Sequence, residues 1–188
     1  MGPATETRDD EGFTLVELVI AAMILVLVLA VVGAMMSSLT STSRTVDSMA
    51  STTTSAQLAA ESVERGIRNS SDFLLTSPAG TDQMLVARTA QGSTTLTWKC
   101  VAWYYSAADG SIRYTISPSA IATPTSTTLA QWTLLAKGVT PNVGAGIFGG
   151  ATPTLTIGFT GQSSGAGPVA INSTVVSRAG SSGTPACY

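Results

Sequence analysis

Few side chains in this 188-residue chain could do chemistry, and their scarcity narrows what it can be. There is no histidine, so the usual acid–base group at neutral pH is missing, and with it the commonest metal ligand. Past residue 17 the acids stand singly, at Asp47, Glu61, Glu64, Asp72, Asp82 and Asp109. No paired carboxylates, nucleophile–base dyad or CxxC spacing is present, so the reading is of a non-enzyme with no cofactor and no metal site. The run Gly144-Ala145-Gly146-Ile147-Phe148-Gly149 is glycine-rich, but no helical pattern and no Lys-Ser/Thr follows it, so it reads as a loop, not a phosphate cradle. Glu17 is different. It stands at the mouth of an uninterrupted apolar run from Leu18 to Met36. An ionised carboxylate in hydrocarbon costs roughly 2.5–3.5 kcal/mol and calls for a positive partner at the same depth. A cut between Gly12 and Phe13 would create one, the new α-amino group of Phe13.

A cleavable secretory signal has a shorter apolar core behind a basic segment, whereas Arg8-Asp9-Asp10-Glu11 precedes this one. A plain signal anchor fits the length, since about 20 residues at 1.5 Å span the ~30 Å of hydrocarbon. It leaves Glu17 and the Gly-Phe boundary without a reason. The stretch Gly12-Phe13-Thr14-Leu15-Val16-Glu17 with its apolar run resembles the class III signal of type IV prepilins and pseudopilins. That resemblance implies cleavage after Gly12 by a prepilin peptidase, N-methylation of Phe13, and a register-setting role for Glu17 in a helical filament of other pilin subunits. It further implies contact with a pilus assembly platform, and a single pass through the cytoplasmic membrane. The leader would lie in the cytoplasm and everything beyond Met36 outside, at the cell surface or in the periplasm. Gly33-Ala34 stands where major pilins carry proline, and the Glu61–Asp72 region (beginning Glu-Ser-Val-Glu-Arg-Gly-Ile-Arg-Asn) resembles the helix end of minor pilins or pseudopilins of the J/W type. Glu17 itself argues against the tip subunit, which typically lacks the acid. Pilus, competence DNA uptake and type II secretion are not separated by these residues. A membrane-anchored adhesin or binding module is the alternative.

The elements that must position these groups divide into a leader (1–12), a long helix (13–69, crossing the membrane at about 14–36) and an extracytoplasmic β-rich domain (70–188). Beyond Met36 the polar, uncharged stretch Ser37–Ser43 leads to Arg44 and Asp47. Val46, Met49, Thr53, Ala56, Ala60, Val63 and Ile67 then recur at helical spacing, the stripe of a helix with one buried face. Asp47, Gln57, Glu61, Glu64, Arg65 and Arg68 occupy the opposite face, with Glu61–Arg65 and Glu64–Arg68 in the favourable i,i+4 order. The stripe is built of small residues, which suits close packing on the chain's own C-terminal domain better than a free coiled coil. One helix from Phe13 to about Arg68 is expected, roughly 80 Å at 1.5 Å per residue, ended by Asn69-Ser70-Ser71-Asp72.

Expected strands are Gln83–Arg88, Thr94–Tyr105, Ser111–Ser117, Leu129–Lys137, Thr154–Phe159 and Val169–Arg178, with a hairpin turn at Asp109-Gly110. In the second strand Leu96, Trp98, Cys100 and Ala102 share one face and Lys99 and Trp103 the other. Gly138–Pro153 and Gly161–Pro168 read as loops, and Ala179–Pro185 as a tail. The fold class is therefore α+β: a long N-terminal helix packed on a C-terminal antiparallel β-sheet domain, which is also the pilin lollipop. Outside the cytoplasm Cys100 and Cys187 read as a disulfide closing a loop of nearly ninety residues, the alternative being two buried thiols. Net charge is −2, and the leader holds Glu6, Asp9, Asp10 and Glu11 against Arg8, so its loss leaves about +1. A near-neutral surface offers no field for nucleic acid. Trp98, Trp103, Tyr104 and Tyr105 have only Lys99 and Arg113 beside them, so packing is preferred to base stacking and direct nucleic-acid binding is not supported.

Overall fold

A computed structural model describes residues 14–92, 95, 97–142, 144, 146–162, 167–178 and 185–188. The first helix, α1, covers Leu15–Arg68. Among the described residues nine strands follow: β1 (Ser70–Thr76), β2 (Gln83–Gln91), β3 (Thr97–Ser106), β4 (Ser111–Ser117), β5 (Thr133–Ala136), β6 (Val139–Pro141), β7 (Phe148–Ala151), β8 (Thr154–Gly161) and β9 (Val169–Val176). A one-turn helix, α2 (Ser126–Leu129), precedes β5. This is the expected α+β arrangement of a long N-terminal helix followed by antiparallel sheet. The chain forms two compact units, one ending at Arg44 and the other running from Thr45 to Tyr188.

In the second unit the strands form two sheets. The first is a meander, β1-β2-β3-β4-β5, every neighbouring pair antiparallel. In the second, β8 is central: β9 lies along one edge, while β6 and β7 share the other, one at each end of β8. Both sheets turn apolar side chains toward the second half of α1, whose Ala56, Ala59, Ala60, Val63 and Ile67 are buried against Leu85, Trp103, Leu155, Ile157 and Phe159. The stripe of small residues thus does pack on the chain's own sheets, but over a shorter length than the periodicity predicts. Val46 and Met49 are exposed and Thr53 only half-buried, because the core begins at Ala56. The polar face is as expected, with the ion pairs Glu61–Arg65 and Glu64–Arg68 both formed.

The close approach has a specific cause. A Cβ on Gly66 would lie 2.2 Å from the Trp103 ring, so the indole sits in the space the glycine leaves. Its Nε1–H donates to Ser62 Oγ at 3.0 Å, one helical turn earlier. Between the sheets, buried Gln83 on β2 is the fastener. Its Oε1 accepts from the backbone N–H of Ile147 (2.6 Å) and Phe148 (2.8 Å), and its Nε2 donates to the Phe148 carbonyl (2.8 Å). A carboxamide matches backbone donors and an acceptor at once, and so pairs these buried groups of Ile147 and Phe148.

Several sequence-based expectations need correction. Ser70-Ser71-Asp72 does end the helix, but the chain enters β1 immediately at Ser70, with a register irregularity between Ser70 and Asp72 where the strand leaves the helix end. The expected strand Leu129–Lys137 shrinks to β5, because Thr125 caps α2 through a reciprocal hydrogen-bond pair with Thr128 and holds Leu129 helical. The expected loop Gly138–Pro153 contains β6 and β7, two short strands held by pairing with β8, β7 despite its two glycines. Within it the glycine-rich stretch has its Ile147 and Phe148 N–H groups occupied by Gln83, so those donors are not free for a phosphate. Thr94 and Leu96, residues 163–166 of the expected loop Gly161–Pro168 and all of the tail before Pro185 lie outside the described residues. The hairpin at Asp109-Gly110 is present, with Gly110 at φ +59°. Of the aromatic cluster, Trp103, Tyr104 and Tyr105 are buried, and half-buried Trp98 lies under Arg88, whose guanidinium carbon is 4.9 Å from the ring centroid.

Candidate functional site

Glu17 occupies the first turn of α1. Thr14 precedes the helix and caps it: its Oγ1 accepts from the Glu17 backbone N–H at 3.3 Å, and its carbonyl accepts from Leu18 N–H at 3.1 Å. A Thr that satisfies the donor three residues on is the usual way of closing a helix N-terminus, and an acid in that turn is favoured by the helix dipole. Glu17 is the one charged side chain between Thr14 and Ser43. All the large apolar side chains from Leu15 to Leu39 are exposed in the isolated chain. An 18-residue window of this helix has a mean hydropathy of 3.2, and none of it is buried. A helix so apolar on every side needs hydrocarbon or other helices around it, since water solvates neither face. Gly12 and Phe13, where the cut and the new amine are expected, lie outside the described residues.

The second singled-out pair lies in the unit from Thr45 onward. Cys100 on β3 and Cys187 are joined by a disulfide, with Cα atoms 5.3 Å apart. Alternation along β3 turns Cys100, Ala102 and Tyr104 to the sheet face opposite the helix, and Val101, Trp103 and Tyr105 toward it. On that outer face Cys187 packs with Met84, Val86 and Tyr104 beneath Ile121, Leu129 and Trp132. The Cys187 carbonyl accepts from Ile121 N–H at 3.2 Å.

A further contact, which local sequence does not signal, holds the last residue. The Tyr188 hydroxyl donates to the Asp72 carboxylate, which also accepts from the Thr152 hydroxyl at 3.0 Å and the Phe73 N–H at 2.8 Å. Burial pulls the Asp72 carboxyl upward. The bonds from Tyr188, Thr152 and Phe73, with the charge of Arg88, outweigh it and hold the group below its usual 3.8. Burial and the facing Asp72 push the Tyr188 hydroxyl up to about 12. Nothing in the local sequence marks Asp72 as a partner for a residue 116 positions away. Likewise only the four-residue spacing of Ser62 and Gly66 hints at the seat for Trp103. Among the described residues no three His, Cys, Asp or Glu side chains gather as a metal site would require.

The family model of the prokaryotic N-terminal methylation motif matches residues 7–33, the stretch that holds Gly12, Phe13, Glu17 and most of the apolar run. No curated protein and no solved structure matches the chain.

Proposed function

We propose that this chain is a structural subunit of a type IV pilus-like filament, a minor pilin or pseudopilin that performs no chemistry itself. A prepilin peptidase removes residues 1–12 by cutting after Gly12, and the new N-terminus at Phe13 is methylated. Before assembly the segment at about 14–36 anchors the protein in the cytoplasmic membrane, with the domain beyond it outside. During assembly the apolar helix exchanges lipid for the helices of neighbouring subunits. The Glu17 carboxylate pairs with the α-amino group of a neighbour's Phe13. Any other stagger leaves both charges unpaired in an apolar medium, so the pair sets the axial register.

One observation carries the reading. The methylation motif ends in a continuous helix whose first turn holds a single acid, with no other charge before Arg44. A plain anchor has no use for that acid. Two measurements test it. Mass spectrometry of the mature polypeptide is expected to find N-methylated Phe13 at the N-terminus, and an intact leader there would refute processing. Glu17→Gln is expected to be cleaved normally but to enter surface filaments poorly. Filament incorporation equal to wild type would refute the register role.

A further inference from the structure

We infer that the outer face of the second sheet carries a binding site for a neutral saccharide unit, centred on Gly158. β8 is the central strand of that sheet, yet a glycine stands near its midpoint. The backbone does not ask for it, since Gly158 is not among the glycines with positive φ. Packing does not ask for it either. A Cβ there would meet nothing nearer than Asn172 Oδ1, at an ordinary 3.4 Å. Glycine inside a strand weakens it, and one of its recognised uses is to let another group come close. The space above Gly158 belongs to a solvent-open cleft of about 480 Å³, lined among others by Asn142, Thr156, Asn172 and Thr174. Leu155, Ile157 and Phe159 are buried toward the helix, so Thr156 and Gly158 face the cleft side together. Across the strands Gly158 pairs with Asn172, and Thr156 pairs with Thr174 and with Gly149. At Gly149 a Cβ would come within 2.7 Å of Thr156 Oγ1, so glycine also keeps that threonine unobstructed.

The chemistry of the lining selects the ligand. Among the described residues no ionisable side chain lines the cleft, so an ion would find no countercharge there. The Asn142 carboxamide is locked: it donates to the Ile171 carbonyl (2.9 Å) and to Asn172 Oδ1 (2.9 Å) and accepts from the Thr160 hydroxyl. This fixes the Asn172 side chain and leaves its amide N–H groups as donors for a ligand. The Thr156 and Thr174 hydroxyls, each able to donate and to accept, have no protein partner among the described residues. An orienting amide and two amphoteric hydroxyls, with no charge, match a molecule whose own groups both donate and accept: the vicinal hydroxyls of an uncharged sugar ring. The site does not depend on whether the chain forms filaments.

The test is side-chain amide NMR of the full-length ¹⁵N-labelled protein in detergent micelles, titrated separately with glucose, galactose and N-acetylglucosamine. Saturable shifts of the Asn142 and Asn172 amide resonances are expected, with a dissociation constant on the order of 1–10 mM for a single sugar ring. Gly158→Leu, which fills the cleft, is expected to weaken binding by about tenfold or more. Thr174→Val, which keeps the shape and removes one hydroxyl, is expected to weaken it severalfold, and it decides the matter if the leucine variant does not fold. No saturable shift with any of these sugars would overturn the proposal. So would binding that both variants leave unchanged, or shifts that follow protein concentration and ignore sugar, which would mean that a second copy of the chain covers the face.

Discussion

Gly66→Ala pits helix propensity against packing, and the structure says which wins. In an exposed helix interior the change would stabilise by about 1 kcal/mol, because alanine loses less backbone entropy. Here the added methyl would sit 2.2 Å from one indole carbon of Trp103 and 2.5 Å from another. The indole is held in place, since Trp103 is 1% exposed, rests against Tyr114 with ring centroids 5.8 Å apart and donates to Ser62. Overfilling a closed core costs about 1–3 kcal/mol, and displacing the ring also sacrifices the bond to Ser62, worth about 0.5–1.5 kcal/mol. Against the helix gain, a net loss of roughly 1–3 kcal/mol is expected, or about 3–12 °C in the midpoint of a domain this size. Thermal unfolding of the full-length protein in micelles, followed by near-UV circular dichroism, reads it directly. Gly33→Ala is the control, because a Cβ there meets nothing within 4 Å. If Gly66→Ala melts at or above the wild-type temperature, the indole is not seated in the glycine's space and the account of the helix–sheet joint is wrong.

Two other perturbations probe the C-terminal end. Replacing Cys100 and Cys187 together by alanine opens a loop with a sequence separation of 87 residues and should destabilise the domain by about 2–5 kcal/mol in urea unfolding. A loss under about 1 kcal/mol would mean that the Ile121 and Asp72 contacts hold the terminus without the covalent link. Asp72 should confer acid sensitivity. Its folded-state value lies below 3.8, so its contribution is present above the unfolded value and disappears as pH falls through the folded one. Tyr188 has the opposite sense: raised to about 12, it favours the folded state below its unfolded value near 10 and loses that effect as pH climbs through 12. The C-terminal contact is therefore intact between roughly pH 4 and 10. Asp72→Asn should flatten the acid limb of a stability–pH profile, and an unchanged limb would place the acid sensitivity on other carboxylates.

How much was legible without coordinates follows from the range of each interaction. The long helix, the place of Glu17, the i,i+4 ion pairs and the Asp109-Gly110 turn depend on neighbours within a few residues, so spacing alone exposes them. β4 is legible at Ser111–Ser117 for the same reason: alternation and flanking turns are local signals. Two of the strands that local pattern does not reveal have residues that argue against a strand. β1 opens with Ser70-Ser71-Asp72, a helix-stopping string, and β7 reads Phe-Gly-Gly-Ala. Their hydrogen-bond partners are supplied by β2 and β8, which no local pattern reveals. The division of the strands into two sheets is hidden for a related reason, since it turns on β5 pairing with β4 while β6 pairs with β8. The link between the sheets is made by Gln83 reaching Ile147 and Phe148 more than sixty residues on.

By itself, then, the sequence determined the class of the protein: a greasy helix holding one acid behind a Gly-Phe boundary, and a β-rich remainder with two cysteines to join. Composition and short-range periodicity suffice for that, because a charge in hydrocarbon and an apolar stripe are costly or useful wherever the chain goes. The tertiary structure alone decided where the helix stripe meets the sheets, and that Gly66 makes room for an indole. It also decided that Asp72 receives the last residue, and that Gly158 opens a polar cleft. Each of these depends on two segments far apart in the chain arriving within a few ångströms, which is a property of packing and not of sequence spacing.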